Sequence, residues 1–186
     1  MKKILLIFFV LNLFQINTQT AQVLRGMAAR FNDAFVEWDI YTDESDDNEE
    51  KGNLTMTWQN PDDWSQWTYR VGEKTGTIKT KWNRDISQWE IRGDNKIITA
   101  QMIWSGDPRQ WRITDNTMTL ELKSKWANQN SEWVVDDDQR GQLFMSMNFQ
   151  NDPRDWNIED ELNQTVSFPM KMAIIFLTMF NSVPKQ

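Results

Sequence analysis

Trp82-Asn83-Arg84-Asp85-Ile86-Ser87-Gln88-Trp89-Glu90-Ile91 and, 22 residues on, Trp104-Ser105-Gly106-Asp107-Pro108-Arg109-Gln110-Trp111-Arg112-Ile113 are two copies of one unit. Each reads as an aromatic, a polar or small residue, a short turn rich in Asp, Asn or Pro, then Trp, one residue and an apolar residue. Working outward, Trp67, Trp89, Trp111 and Trp133 are spaced 22 apart, and Trp156 follows 23 later. A second series, Trp82, Trp104, Trp126 and Phe149, runs seven residues ahead of its partners. Phe31 and Trp38 form a first copy at the same spacing, and Trp58 and Trp67 a second one stretched to nine. Self-similarity at a fixed short period marks a chain built from stacked copies of one supersecondary unit.

The flanks identify that unit as a β-hairpin. Ile98, Ala100, Met102 and Trp104 alternate with polar neighbours, as do Leu120, Leu122, Ser124 and Trp126, and Leu143, Met145, Met147 and Phe149. Period two places each set on one face of a strand. Between the units lie second turns such as Gly93-Asp94-Asn95 and Asp115-Asn116-Thr117, whose residues tolerate tight backbone angles. If Trp82 faces Trp89, then Thr80 faces Ile91; across the next turn Ile91 faces Ile98 and Trp89 faces Ala100. One register then keeps every apolar pair on one face. The fold class expected is all-β: an antiparallel up-and-down meander of about twelve strands, closed or partly closed into a barrel. Both Trp series are expected on its dry face, with Thr, Gln, Lys, Arg and Glu on the wet one.

Twelve strands about 4.8 Å apart and tilted about 40° close at a diameter of about 24 Å, too wide for inward side chains alone. A filler is available in the segment Phe168-Pro169-Met170-Lys171-Met172-Ala173-Ile174-Ile175-Phe176-Leu177-Thr178-Met179-Phe180. Val166, Phe168, Met170 and Met172 allow a thirteenth strand. Helix is favoured from about 168 to 181, because Pro169 after Ser167 suits a first turn and Lys171, Thr178 and Ser182 fall near one polar stripe. Strand is expected to continue to about Phe168, with the helix covering or plugging the dry face.

The N-terminus reads as an address. Lys2 and Lys3, an apolar run from Ile4 to Phe14 and the polar Asn17-Thr18-Gln19-Thr20-Ala21-Gln22 follow the order of a secretory signal peptide. The run is too short to span a bilayer as a helix. The domains expected are a signal peptide over 1–21 and a single barrel domain over 22–186, located outside the cytoplasm of a bacterium: periplasm, cell surface or medium. Removing Lys2 and Lys3 from the 20 basic residues leaves 18 against 27 acidic ones, a net charge near −9. That balance excludes nucleic acid as a partner and disfavours an anionic lipid surface.

The 186 residues include 11 Trp but neither His nor Cys. That removes disulfides, thiolate and imidazole metal shells, and Ser-His-Asp or Cys-based catalysis. No nucleophile–base set stands out, so no enzymatic activity, cofactor or metal site is expected. The acidic run Asp43-Glu44-Ser45-Asp46-Asp47-Asn48-Glu49-Glu50 lacks EF-hand spacing and reads as a solvated loop, as does Asp136-Asp137-Asp138. Asp85, Asp107 and Asp152 read as turn chemistry. The Trp series reads chiefly as core packing. Trp64, inside the stretched second loop, is the aromatic expected to be exposed, and Trp64, Trp58 and Trp67 are the candidate ligand-binding residues.

In period and Trp use the unit resembles choline-binding cell-wall repeats and mannose-binding barrel lectins. Their Gly-Trp and Gly-Gly signatures are absent, so the resemblance carries no residues over. The function expected is a non-enzymatic, secreted or periplasmic barrel binding a small ligand (glycan or apolar molecule) or an envelope protein. The alternative is an integral outer-membrane barrel with its Trp face toward lipid.

Overall fold

The computed structural model describes residues 22–31, 34–43, 51–58 and 63–185. The proposed signal peptide and most of the acidic run at 43–50 lie outside them. The strands are β1 (Leu24–Phe31), β2 (Ala34–Thr42), β3 (Gly52–Met56), β4 (Gln66–Val71), β5 (Lys74–Thr80) and β6 (Gln88–Gly93). They continue as β7 (Lys96–Trp104), β8 (Asp107–Thr114), β9 (Thr119–Trp126), β10 (Gln129–Asp137), β11 (Gly141–Phe149) and β12 (Asp152–Asp160), followed by α1 (Phe168–Ser182). Each strand pairs antiparallel with its neighbours in sequence, and β1 pairs with β12 through Gly26↔Asn157 to Ala28↔Asp155. The meander is a closed twelve-stranded barrel.

The dry face points into the lumen. Trp38, Trp67, Trp89, Trp111, Trp133 and Trp156 are at most 1 % exposed and share the interior with Ile40, Leu54, Ile78, Ile91, Ile113, Leu122 and Met145. An indole buried this deeply needs a partner for its N–H. All six find the same one, the backbone carbonyl three residues earlier: Phe35, Trp64, Ile86, Pro108, Asn130 and Pro153, at 2.7–3.0 Å. The repeat therefore carries its own polar satisfaction. The turn that precedes each inner Trp aims its carbonyl at that ring.

α1 runs through the lumen, and all its residues from Phe168 to Phe180 are buried. Fifteen residues rise about 22 Å, close to the height of nine-residue strands tilted by about 40°. Phe176 stands edge-on to Trp67 and Trp89, with centroids at 5.7 and 4.8 Å, and Phe180 does the same to Trp89 at 4.9 Å. A helix buried on every side has no use for a polar stripe, so Lys171 and Thr178 do not face solvent. Lys171 Nζ instead donates to Asp160 Oδ2 at 2.7 Å, with the two side chains 1 % and 0 % exposed. The same carboxylate accepts from the backbone N–H of Leu24 (3.1 Å) and Leu162 (3.2 Å). One buried anion thus joins the start of β1, the end of β12 and the first turns of α1. At the other mouth, Asn130 Nδ2 donates to Asn181 O and Trp133 Nε1 to Ser182 Oγ.

Tyr69 lies across the paired Gly76 and Gly93, where a Cβ at either position would overlap its ring hydroxyl. Burial pushes the Tyr69 hydroxyl well above the ordinary phenol range.

Four expectations are corrected. The strand stops at Asp160 rather than near Phe168, since Lys171 pairing with Asp160 folds the chain back through 161–167 into the lumen. Thr80 pairs with Trp89 and Ile78 with Ile91, two residues away from the register drawn above, because Lys81–Ser87 is all loop. The Ile91↔Ile98 and Trp89↔Ala100 pairs across the Asp94-Asn95 turn hold; both turn residues have positive φ, as a two-residue hairpin requires. The second aromatic series lies outside the barrel rather than on the dry face. Trp64 is half-buried rather than exposed.

Candidate functional site

The six odd-to-even connections, β1–β2 through β11–β12, all fall at one end of the barrel, opposite the end where α1 enters. Each delivers one aromatic to that rim: Phe31, Trp58, Trp82, Trp104, Trp126 and Phe149. They are 46–63 % exposed, and with Ile86 and Ile97 they make up the large exposed apolar side chains among the described residues. Two strands per aromatic place neighbours about 12–13 Å apart around the circumference. The result is a collar of exposed rings.

A register break turns them outward. Met102 pairs with Trp111, but two residues on Trp104 pairs with Asp107, so β8 carries two extra residues against β7. Matching breaks occur between Met147 and Phe149, between Ala29 and Phe31, and between Gln129 and Trp133 opposite Trp126. A bulge increases local twist and re-aims the side chain beside it. Trp58 and Trp82 reach the same position by lying just beyond the ends of β3 and β5.

The outer rings are held in place. Trp104 Nε1 donates to Gln110 Oε1 (3.0 Å), and Trp58 Nε1 to Gln66 Oε1 (3.2 Å). Trp126 hydrogen-bonds the Glu132 carboxylate, which Lys125 and Trp126 together hold below its ordinary range. Gln66, Gln110 and Glu132 immediately precede an inner Trp. Adjacent residues on one strand therefore serve the two series, the Trp pointing in and its neighbour clamping the outer ring against the wall. Lys81 and Lys125 lie 5.9 and 5.4 Å from the centroids of Trp82 and Trp126, within cation–π range.

Carboxylates brace the turns between the rings. Oδ1 of Asp85, Asp107 and Asp152 accepts from the backbone N–H two residues on, the turn chemistry expected of them, and Asp63 does the same. In the fourth and sixth hairpins Arg clamps the carboxylate: Arg109 to Asp107 at 2.7 and 2.6 Å, Arg154 to Asp152 at 2.8 and 2.5 Å. The Arg109 hydrogen bonds pull the Asp107 carboxyl down to about 2, and Arg154 lowers Asp152. The Ser65 and Ser87 hydroxyls lower Asp63 and Asp85 in the same way.

The three sequence candidates part company here. Trp58 belongs to the collar. Trp67 is buried in the lumen wall. Trp64 packs inward against Trp67 and Phe180 at 5.8 and 6.3 Å, capping the helix end. Trp82, Trp104 and Trp126, assigned to the core by periodicity, are the collar residues that the sequence reading missed. Gln or Glu before five of the six inner Trp, with Asp155 before Trp156, was the available signal. Among the described residues no group of three His, Cys, Asp or Glu is placed to hold a metal, and no helix is long and apolar enough to cross a membrane. No known family model matches the chain, and neither a curated protein nor a solved structure shows significant similarity to it.

Proposed function

We propose that the chain is a non-enzymatic binding protein of the periplasm or cell surface, and that its binding surface is the aromatic collar. One observation carries this reading: six hairpins each expose one ring at the same rim, while Ile86 and Ile97 are the other large apolar side chains exposed among the described residues. Exposed apolar rings in a rimmed array mark interaction sites. Of the two small-ligand classes, an apolar molecule would need a lumen, and α1 with the inner Trp series occupies it. A ligand or partner therefore docks outside. The wall below the collar carries Thr68, Arg70, Thr77, Lys79, Glu90 and Arg92 toward solvent. This supports a barrel standing in water over an integral outer-membrane barrel, whose outer band must be apolar.

The test is co-sedimentation of the mature chain with cell-wall fractions, insoluble polysaccharides and phospholipid vesicles, beside a variant with Trp58, Trp82, Trp104 and Trp126 all changed to Ser. The expected result is sedimentation lost in the variant while its melting transition is kept. Equal sedimentation of both proteins, or none by the parent, overturns the reading. Carbonate washing of membranes tests the integral-barrel alternative, which requires the chain to stay with the membrane.

A further inference from the structure

We infer that the collar is one sugar-stacking site repeated six times, engaged together by a polysaccharide. The inference rests on the collar being the binding surface and adds the ligand class. The clamps decide what the rings leave available. Gln66 and Gln110 occupy the indole N–H of Trp58 and Trp104, so these rings offer a flat π face and no donor. Pairs that can bond hydroxyls stand opposite two of the collar rings: Asp107 with Arg109 across from Trp104, and Asp152 with Arg154 across from Phe149. An apolar plate bordered by polar and charged groups is complementary to a pyranose, which has a C–H face and a rim of hydroxyls.

The alternatives fit less well. A bilayer interface accepts Trp, but docking the rim there would strip water from the Asp107–Arg109 and Asp152–Arg154 pairs, a penalty without compensation. A protein partner is met by a contiguous, fully desolvated core, whereas these rings stand apart from one another, about 12–13 Å between neighbours. Of the exposed apolar side chains at this rim, only Ile86 among the described residues is aliphatic.

Repetition points to a polymer. A single exposed ring stacking on one sugar gives weak affinity, whereas linked contacts multiply when successive units of one chain reach neighbouring sites. With neighbours about 12–13 Å apart, an extended chain reaches the next ring after two or three sugar units.

The experiment is affinity electrophoresis and tryptophan fluorescence titration against soluble xylan, mannan, glucan and chitin oligomers, graded from monosaccharide to polymer. The parent chain is expected to bind at least one polymer on the order of tenfold or more tighter than its dimer. Trp104→Ser and Trp126→Ser in one molecule should remove most of that gain with no change in melting temperature. Three results overturn the proposal in different ways. Equal affinity for dimer and polymer removes the multivalent array. Failure with every glycan, together with collar-dependent sedimentation on phosphatidylcholine vesicles, removes the sugar but keeps the collar. Glycan binding that survives the four-Trp variant removes the collar itself.

Discussion

Changing Asp160 to Asn, or Lys171 to Met, should destabilise the protein far more than either residue's chemistry suggests. Asp160 accepts three hydrogen bonds, from Lys171 Nζ, Leu24 N and Leu162 N, at 2.7–3.2 Å, and neither ionised side chain reaches water. D160N leaves a cation sealed in the lumen, and K171M leaves an anion with only two backbone donors. Breaking a buried pair from one side costs about 3–5 kcal/mol. For a urea slope of about 2 kcal/mol per molar, that moves the unfolding midpoint down by about 2 M. The double variant D160N/K171M removes both charges, so it should lose less than the two single losses added together. The assay is equilibrium urea unfolding followed by far-UV circular dichroism, assembled into a double-mutant cycle. Single variants within about 1 kcal/mol of the parent, or strictly additive losses, would refute the reasoning that this pair is what draws α1 to the β1–β12 seam.

The two aromatic series should part cleanly under substitution. Trp89→Ala empties a site against Phe176 and Phe180 and should cost about 3–5 kcal/mol in the same urea assay. Trp104→Ala, more than half exposed, should stay within about 0.5 kcal/mol; similar losses at both positions would contradict the sorting into inside and outside. Gly93→Ala brings a methyl onto the Tyr69 hydroxyl and Pro169 and is expected to lower the melting temperature, while Gly106→Ala meets open space and strains only its φ of 79°. Acid should weaken the rim turns. Asp107, lowered to about 2, and Asp152, Asp85 and Asp63, also lowered, favour the folded state above the unfolded carboxylate range near 4. That contribution is lost as pH falls from about 4 toward 2. Melting temperature against pH should therefore decline less steeply in D107A/D152A than in the parent; parallel curves would show that these turns are not coupled to folding.

The barrel was legible because its period is written in the least ambiguous residues. Trp at a fixed step, turn residues between, and period-two flanks force hairpins, and the shared face of Trp89, Ile91, Ile98 and Ala100 fixes the register across the Asp94-Asn95 turn, while the longer Lys81–Ser87 loop left its own register two residues off. What stayed hidden was where parity fails. Met102 and Trp104 are two apart and share a face in any regular strand, yet a bulge rotates the second outward without changing the spacing. No sum over residue positions detects a bulge that sits in the partner strand. Trp64 announced itself as irregular through the two-residue stretch, but its direction depends on Phe180, which lies 116 positions away. Lys171 misled for a related reason. A lone Lys in an apolar helix signals solvent unless a buried carboxylate waits for it, and Asp160 looked like one acid among 27.

The helix inside the barrel also sets the order of events in which the protein can be made. No smaller fragment of the sheet owns a finished core: the inner Trp rings of every hairpin face a space that only 168–180 fills, and the ring of strands closes only when β12 meets β1. A nascent or exported chain thus has no stable stopping point before its last helix arrives, because non-local pairing must be completed before it is rewarded. Trp64 packs on Phe180 near one end of α1 and Asp160 holds Lys171 near the other, so both ends of the helix are tied to the barrel wall. Immaturity and unfoldedness are therefore the same state until the whole chain has emerged.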